Sequence, residues 1–154
     1  MATSMKDVAS TLNRLIQTCR DGEEGFRVAA DGVKDTQLRT LFRDLSAQRA
    51  QFAIELEGEV VRLGEVPATQ GSVMGALHRG WMNVKTAVTG TDDAAIVSEC
   101  ERGEDSAVAA YRDALDTELP ASTQMLVARQ FSFVQAAHDR VRAIELAQEH
   151  AHST

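Results

Sequence analysis

The sequence is short of most of what builds folds out of turns, bridges or membrane spans. Two prolines in 154 residues and an aromatic share of 5% leave little for a turn-rich β-sandwich, and Cys19 and Cys100 are too few for a disulfide framework. No apolar run approaches the roughly twenty residues that cross a bilayer. The opening MATSMKDVAS lacks the basic segment and apolar core of a secretion signal. The expectation is a cytoplasmic protein whose two thiols are buried. Positive charge is scarce too. Sixteen Lys and Arg against 23 Asp and Glu give a net charge of −7, a balance that repels nucleic-acid backbones and anionic lipid surfaces. There is no Gly-rich phosphate loop, nucleophile elbow or CxxC pair, and the four histidines leave little material for acid–base catalysis.

What remains is helical. With 44% apolar and 25% charged residues the chain can bury one core, so a single domain is expected over residues 1–149, with a frayed tail at 150–154 holding His150 and His152. Apolar residues recur three and four apart at Val8, Leu12, Leu15, Cys19, Phe26, Ala30 and Val33, the mark of a first helix after Ser4. A second stripe through Leu38, Leu41, Leu45, Phe52, Leu56, Val60 and Leu63 opens at Asp35 and closes at Gly64. A third helix is expected from the Thr91–Asp93 cap to about Glu118, through Ile96, Val97, Cys100, Ala107, Tyr111 and Leu115. The fourth follows Pro120 and carries Val127, Phe131, Val134, His138, Val141 and Ile144.

The two hairpins are joined by a long segment with its own amphipathic stretch at Val73, Leu77, Trp81, Val84 and Val88. A helix of about sixteen residues covers roughly 24 Å. The connector can therefore carry the chain to the other end of the bundle and make helices two and three parallel. His78, Arg79 and Lys85 on this segment are too few for a membrane-surface element, so a strap over the bundle is the simpler role.

The halves resemble one another. CRDGEEGFRVAA lies beside CERGEDSAVAAY, matching Cys19 with Cys100, Gly22 with Gly103, Glu23 with Glu104 and Glu24 with Asp105. More faintly, Gln48 and Gln51 face Gln135 and His138. Glu23 and Glu104 fall within the apolar stripes and are expected to point inward. Gln48, Gln51, Gln135 and His138 interrupt the other two stripes, and Glu55 lies one turn beyond Gln51. A buried carboxylate demands a partner, and a helical glycine beside each glutamate implies close approach or room for a bound species.

These residues resemble the ferritin-like superfamily. DGEEGF, QRAQF, GALHRGWMNVK, ECERGED and AAHDRVR resemble a bacterial family of ferritin-like four-helix proteins of unknown function over nearly the whole chain. The resemblance implies an all-α ferritin-like four-helix bundle of two hairpins with a helical crossover. Di-iron members place a Glu on helices one and three and a Glu-x-x-His on helices two and four. Here Glu23 and Glu104 match the single glutamates, while Gln48-x-x-Gln51 and Gln135-x-x-His138 stand in for the Glu-x-x-His pairs.

Neutral glutamines are poor ligands for hard ferric ions. A self-satisfied polar layer of Gln48, Gln51 and Gln135 around the glutamates, in a non-catalytic protein with no cofactor and a structural or stress-related role, is therefore the first reading. The alternative is one divalent ion (Fe, Mn or Zn) held by Glu23, Glu104 and His138, with oxidase or storage activity. A homo-oligomer built through the long helices or the crossover helix stays open.

Overall fold

The computed structural model describes residues 4–68, 81 and 92–152. Among them lie four helices: α1 (Met5–Gly32), α2 (Thr36–Arg62), α3 (Asp93–Leu115) and α4 (Ala121–His152). The crossover positions Val73, Leu77, His78, Arg79, Val84, Lys85 and Val88 lie outside the described residues. α4 runs to His152, so helix continues into residues expected to fray.

Each boundary has a chemical cause. Ser4 Oγ accepts the Asp7 N–H at 3.1 Å and begins α1. The hairpin turn is held twice: the Asp35 carboxylate accepts the Gln37 and Leu38 N–H groups, and the Asp93 carboxylate accepts those of Lys34 and Asp35. The start of α3 is thereby tied to the α1–α2 turn. α2 ends where Gly64 takes φ +81° and Glu65 N–H reaches back to the Val60 carbonyl at 3.1 Å, a left-handed closure that suits glycine. α3 stops at Leu115, before the expected Glu118. There the Thr117 hydroxyl and N–H both bond the Ala114 carbonyl, and Pro120 lies ahead.

Contacts between elements give the topology. Lys34 meets Asp93 and Cys19 meets Tyr111, so α1 and α3 are antiparallel. Arg62 meets Ser122 and the Phe52 carbonyl meets Gln130, so α2 and α4 are antiparallel as well. With α2 folded back on α1, helices α2 and α3 run parallel, the ferritin-like crossover arrangement. α1 packs most closely on α2, and the α2–α4 contact is thinner than those of α1 with α2, α3 with α4 and α1 with α3.

The core has two apolar clusters. One gathers Leu12, Ile16, Phe52, Leu56, Tyr111 and Val127. The other gathers Phe26, Phe42, Trp81, Ile96, Val97 and Val141. Arg49, between Leu45 of one cluster and Phe52 of the other, and Glu104, between Cys100 and Ala107, mark the layer where they meet. No helix among the described residues is long and apolar enough to cross a membrane.

Candidate functional site

On α2 the buried positions include Leu41, Leu45, Arg49, Phe52 and Leu56, spaced three and four apart along one face. It carries an arginine to the centre. Arg49 is 1% exposed and Glu104 0%. Their four terminal atoms pair in parallel, Nη1 to Oε1 at 2.6 Å and Nη2 to Oε2 at 2.7 Å, the planar fork that guanidinium and carboxylate make best. The Arg49 Cζ also lies 5.4 Å from the centroid of the Phe26 ring. Burial opposes the arginine's charge most strongly, and the Glu104 carboxylate outweighs it, so the guanidinium is held above its ordinary value.

Beside the pair runs a chain of neutral groups. The Cys19 Sγ and Tyr111 Oη are 3.2 Å apart. Tyr111 donates to Gln130 Oε1 at 2.7 Å, and the Gln130 amide donates to the Phe52 carbonyl and to Glu55. Glu55 thus does reach the edge of the layer. Burial pushes the Cys19 thiol up to about 11, against the lowering effects of the Tyr111 hydrogen bond and Arg49. Burial likewise holds Cys100 and Tyr111 well above their ordinary values. Neither thiol is a nucleophile in this setting.

The residues expected to form the centre are dispersed. Glu104 is there. Glu23 is 36% exposed and binds Arg20 at 3.0 Å on the α1–α2 flank, where Arg20 also holds Glu57. Gln51 is exposed and Gln48 half-buried, its Oε1 accepting from Arg49 Nε at 3.3 Å. Gln135 lies on the surface between Arg112 and Asp139. His138 faces Asp105, Asp139 and Glu101 on the α3–α4 seam. On α2 and α4 the cause is a one-residue difference of phase. On α4 the buried residues are Thr123, Val127, Gln130, Val134, Ala137, Val141 and Glu145, so Gln130 points in while Gln135 and His138 fall on the flanks. The four-and-three spacing admits Arg49 as readily as Gln48, and Gln130 as readily as Phe131, so the signal was an ambiguous one.

The glycines make room for the protein's own side chains. A Cβ at Gly22 would lie 3.4 Å from Arg49 Cγ. At Gly25 and Gly103 it would overlap the Trp81 indole. The indole fills a slot between α1 and α3, 2% exposed and edge-on to Phe26 with centroids 4.9 Å apart.

A metal pair of the di-iron kind does not fit this centre. The one carboxylate there with no exposure, Glu104, spends both oxygens on Arg49, and the cation the layer needs is already covalently part of the chain. Among the described residues, the ligand-bearing groups that do converge are Glu101, Asp105 and His138. Their ligand atoms lie within 4.8 Å of one another on the α3–α4 seam.

No curated protein matches the chain. Among solved structures, it is similar to a point mutant of Dps1 from Mycobacterium smegmatis, at 15% identity over 92% of this chain and 96% of that one, with a TM-score of 0.73. It is also similar to a two-domain protein from Anabaena variabilis that contains DJ-1/ThiJ/PfpI-like and ferritin-like domains, at 17% identity and a TM-score of 0.76. That match covers 95% of this chain and 41% of that one. At these identities the likeness shows the fold, a ferritin-like four-helix bundle, and says nothing of activity. Residues 7–117 match the domain of unknown function DUF2383, and the chain belongs to that family.

Proposed function

We propose that the protein is a non-catalytic, cytoplasmic ferritin-like bundle in which an internal guanidinium–carboxylate pair stands where relatives of this fold hold metals. The observation that carries this reading is the bidentate Arg49–Glu104 pair at 1% and 0% exposure. A buried ion pair adds little net stability compared with apolar residues of the same size, but leaving either partner alone is costly. Its use is to fix register: an arginine on α2 and a glutamate on α3 must meet, and neighbouring packings that leave either unpaired are excluded. The Cys19–Tyr111–Gln130 chain adds a second condition of the same kind between α1, α3 and α4. Such a device suits a rigid structural or stress-related module better than an oxidase.

Aerobic addition of Fe(II) to the purified chain tests this. Oxidation at the rate of buffer alone is expected. Rapid, stoichiometric oxidation that Glu104→Gln abolishes and His138→Ala leaves intact would sink the reading.

A further inference from the structure

Glu101 and Asp105 are one turn apart on α3, so both carboxylates leave the same side of the helix. His138 faces them from α4, with Nε2 2.6 Å from Asp105 Oδ1 and 3.7 Å from Glu101 Oε1. The other ring nitrogen, Nδ1, lies 3.2 Å from Asp139 Oδ1, and that same oxygen accepts from the Gln135 amide at 3.0 Å. With its Nδ1–H given to Asp139, the imidazole turns a lone pair toward two carboxylates. Three acceptor atoms then converge with no donor among them, and a proton or a metal cation must fill the gap.

The charge balance favours a cation. Glu101 and His138 are only 16% and 18% exposed. Arg142, on the same helix as His138, is drawn to Glu145 at 2.8 Å. Four carboxylates (Glu101, Asp105, Asp139 and Glu145) thus share one arginine and one imidazole.

We propose that Glu101, Asp105 and His138 form a site for a single divalent transition-metal ion of the zinc, manganese or ferrous class, with Asp139 orienting the imidazole and water completing the coordination. Mixed carboxylate and imidazole donors are the set these ions take, whereas magnesium and calcium prefer oxygen alone. Metal–ligand bonds of about 2.1 Å in a tetrahedron put ligand atoms about 3.4 Å apart. Glu101 already stands near that distance from His138. Asp105 needs to withdraw by less than about 1 Å, which its 56% exposed side chain can do by turning. The Asp139–His138 contact is the outer-shell carboxylate that metal-bound histidines commonly have. This is a one-ion surface site and shares no residue with the Arg49–Glu104 centre.

The test is a calorimetric titration of the chelator-treated full chain with Zn(II) alone, at neutral pH. One ion per chain is expected. His138→Ala and Asp105→Asn should each weaken binding by about tenfold or more, and Asp139→Asn by about tenfold, all three with unchanged helix content. Glu23→Gln should bind as the parent does, and so should a chain with His150→Ala and His152→Ala, which removes the other histidine pair. The proposal is overturned if no saturable binding is seen, if binding survives His138→Ala, or if it vanishes with the tail histidines instead. Because the iron-oxidation test turns on Glu104 and this one on His138, the failure of one leaves the other standing.

Discussion

Glu23 and Glu104 occupy the same place in the two halves of the molecule, four residues after a buried cysteine and one after a glycine, yet they meet opposite fates. Glu104 is sealed in the centre against Arg49, whereas Glu23 is 36% exposed against Arg20. Helix phase alone does not separate them, since their local sequences are alike. The partner does. One inward arginine can satisfy one carboxylate through both oxygens, and the stem of that arginine occupies the space beside Gly22. Arg20 meanwhile bridges Glu23 to Glu57 across the α1–α2 flank. Internal repetition thus predicts backbone placement well and burial of a charge poorly, because burial depends on what the facing helix brings.

The largest effect should come from breaking the buried pair. Arg49→Met leaves Glu104 buried and unpaired, which costs about 3–5 kcal/mol in urea unfolding. Adding Glu104→Leu to that variant should recover most of the loss, since a well-packed apolar substitute for a buried ion pair is often neutral or stabilising. If the single variant unfolds at the parent's urea concentration, the contrast between the two glutamates has no energetic content.

The paired glycines sharpen the same contrast. Gly103→Ala puts a methyl group into the Trp81 indole and should cost about 1–3 kcal/mol as overpacking. Emission from this single tryptophan should shift to the red as the ring is displaced. Gly22→Ala, at the equivalent position, meets Arg49 at ordinary contact distances, Cγ at 3.4 Å and Nη1 at 3.6 Å. The gain in helix propensity of about 0.5–1 kcal/mol should offset that contact and leave stability near the parent's. Equal losses at both positions would mean that the tryptophan slot is not what separates the halves.

Much of this was legible in the residues. Ser4, Asp35, Asp92 and Gly64 announce helix ends, and the length of the connector implies the parallel α2–α3 pair. That Glu104 is inward could also be read. The rest of the centre was not, for a physical reason: a stripe defined by apolar residues alone can be drawn through Phe131 and His138 or through Gln130 and Ala137. Both sets run three and four apart from Val127 to Val141, so spacing does not choose between them, and it is the second that the packing buries. Polar residues at core positions, Arg49 and Gln130 here, are what an apolar stripe omits. The seam of Glu101, Asp105 and His138 needed the packing of α3 against α4, which sequence spacing does not supply.

A third prediction concerns the thin α2–α4 contact, where a carboxylate is neither sealed like Glu104 nor open like Glu23. Glu59, at 10% exposure, accepts from Arg62 at 2.6 Å and from the Thr123 hydroxyl at 2.6 Å. The Arg62 hydrogen bond holds its carboxyl below the ordinary 4.5; burial opposes this, and Thr123 reinforces it. A group with a lowered folded-state value stabilises fully above the unfolded value, and loses that contribution as pH falls through the folded one. Stability should therefore decline below about pH 4.5. Glu59→Gln should flatten that decline at a cost near neutral pH on the order of 1 kcal/mol, the net worth of such hydrogen bonds.

The smallest effect belongs to Glu23, and its smallness is what gives the first comparison meaning. Glu23→Gln removes one half-exposed ion pair, while Arg20 keeps Glu57 at 3.0 Å. Pairs of this kind contribute about 0–1 kcal/mol and are screened by salt. The variant should unfold within about 0.5 kcal/mol of the parent in moderate salt, and the difference should shrink further as salt is raised. A loss as large as that of Arg49→Met would show that Glu23 reaches into the buried layer in solution, and the two halves would then be alike in energy as well as in sequence.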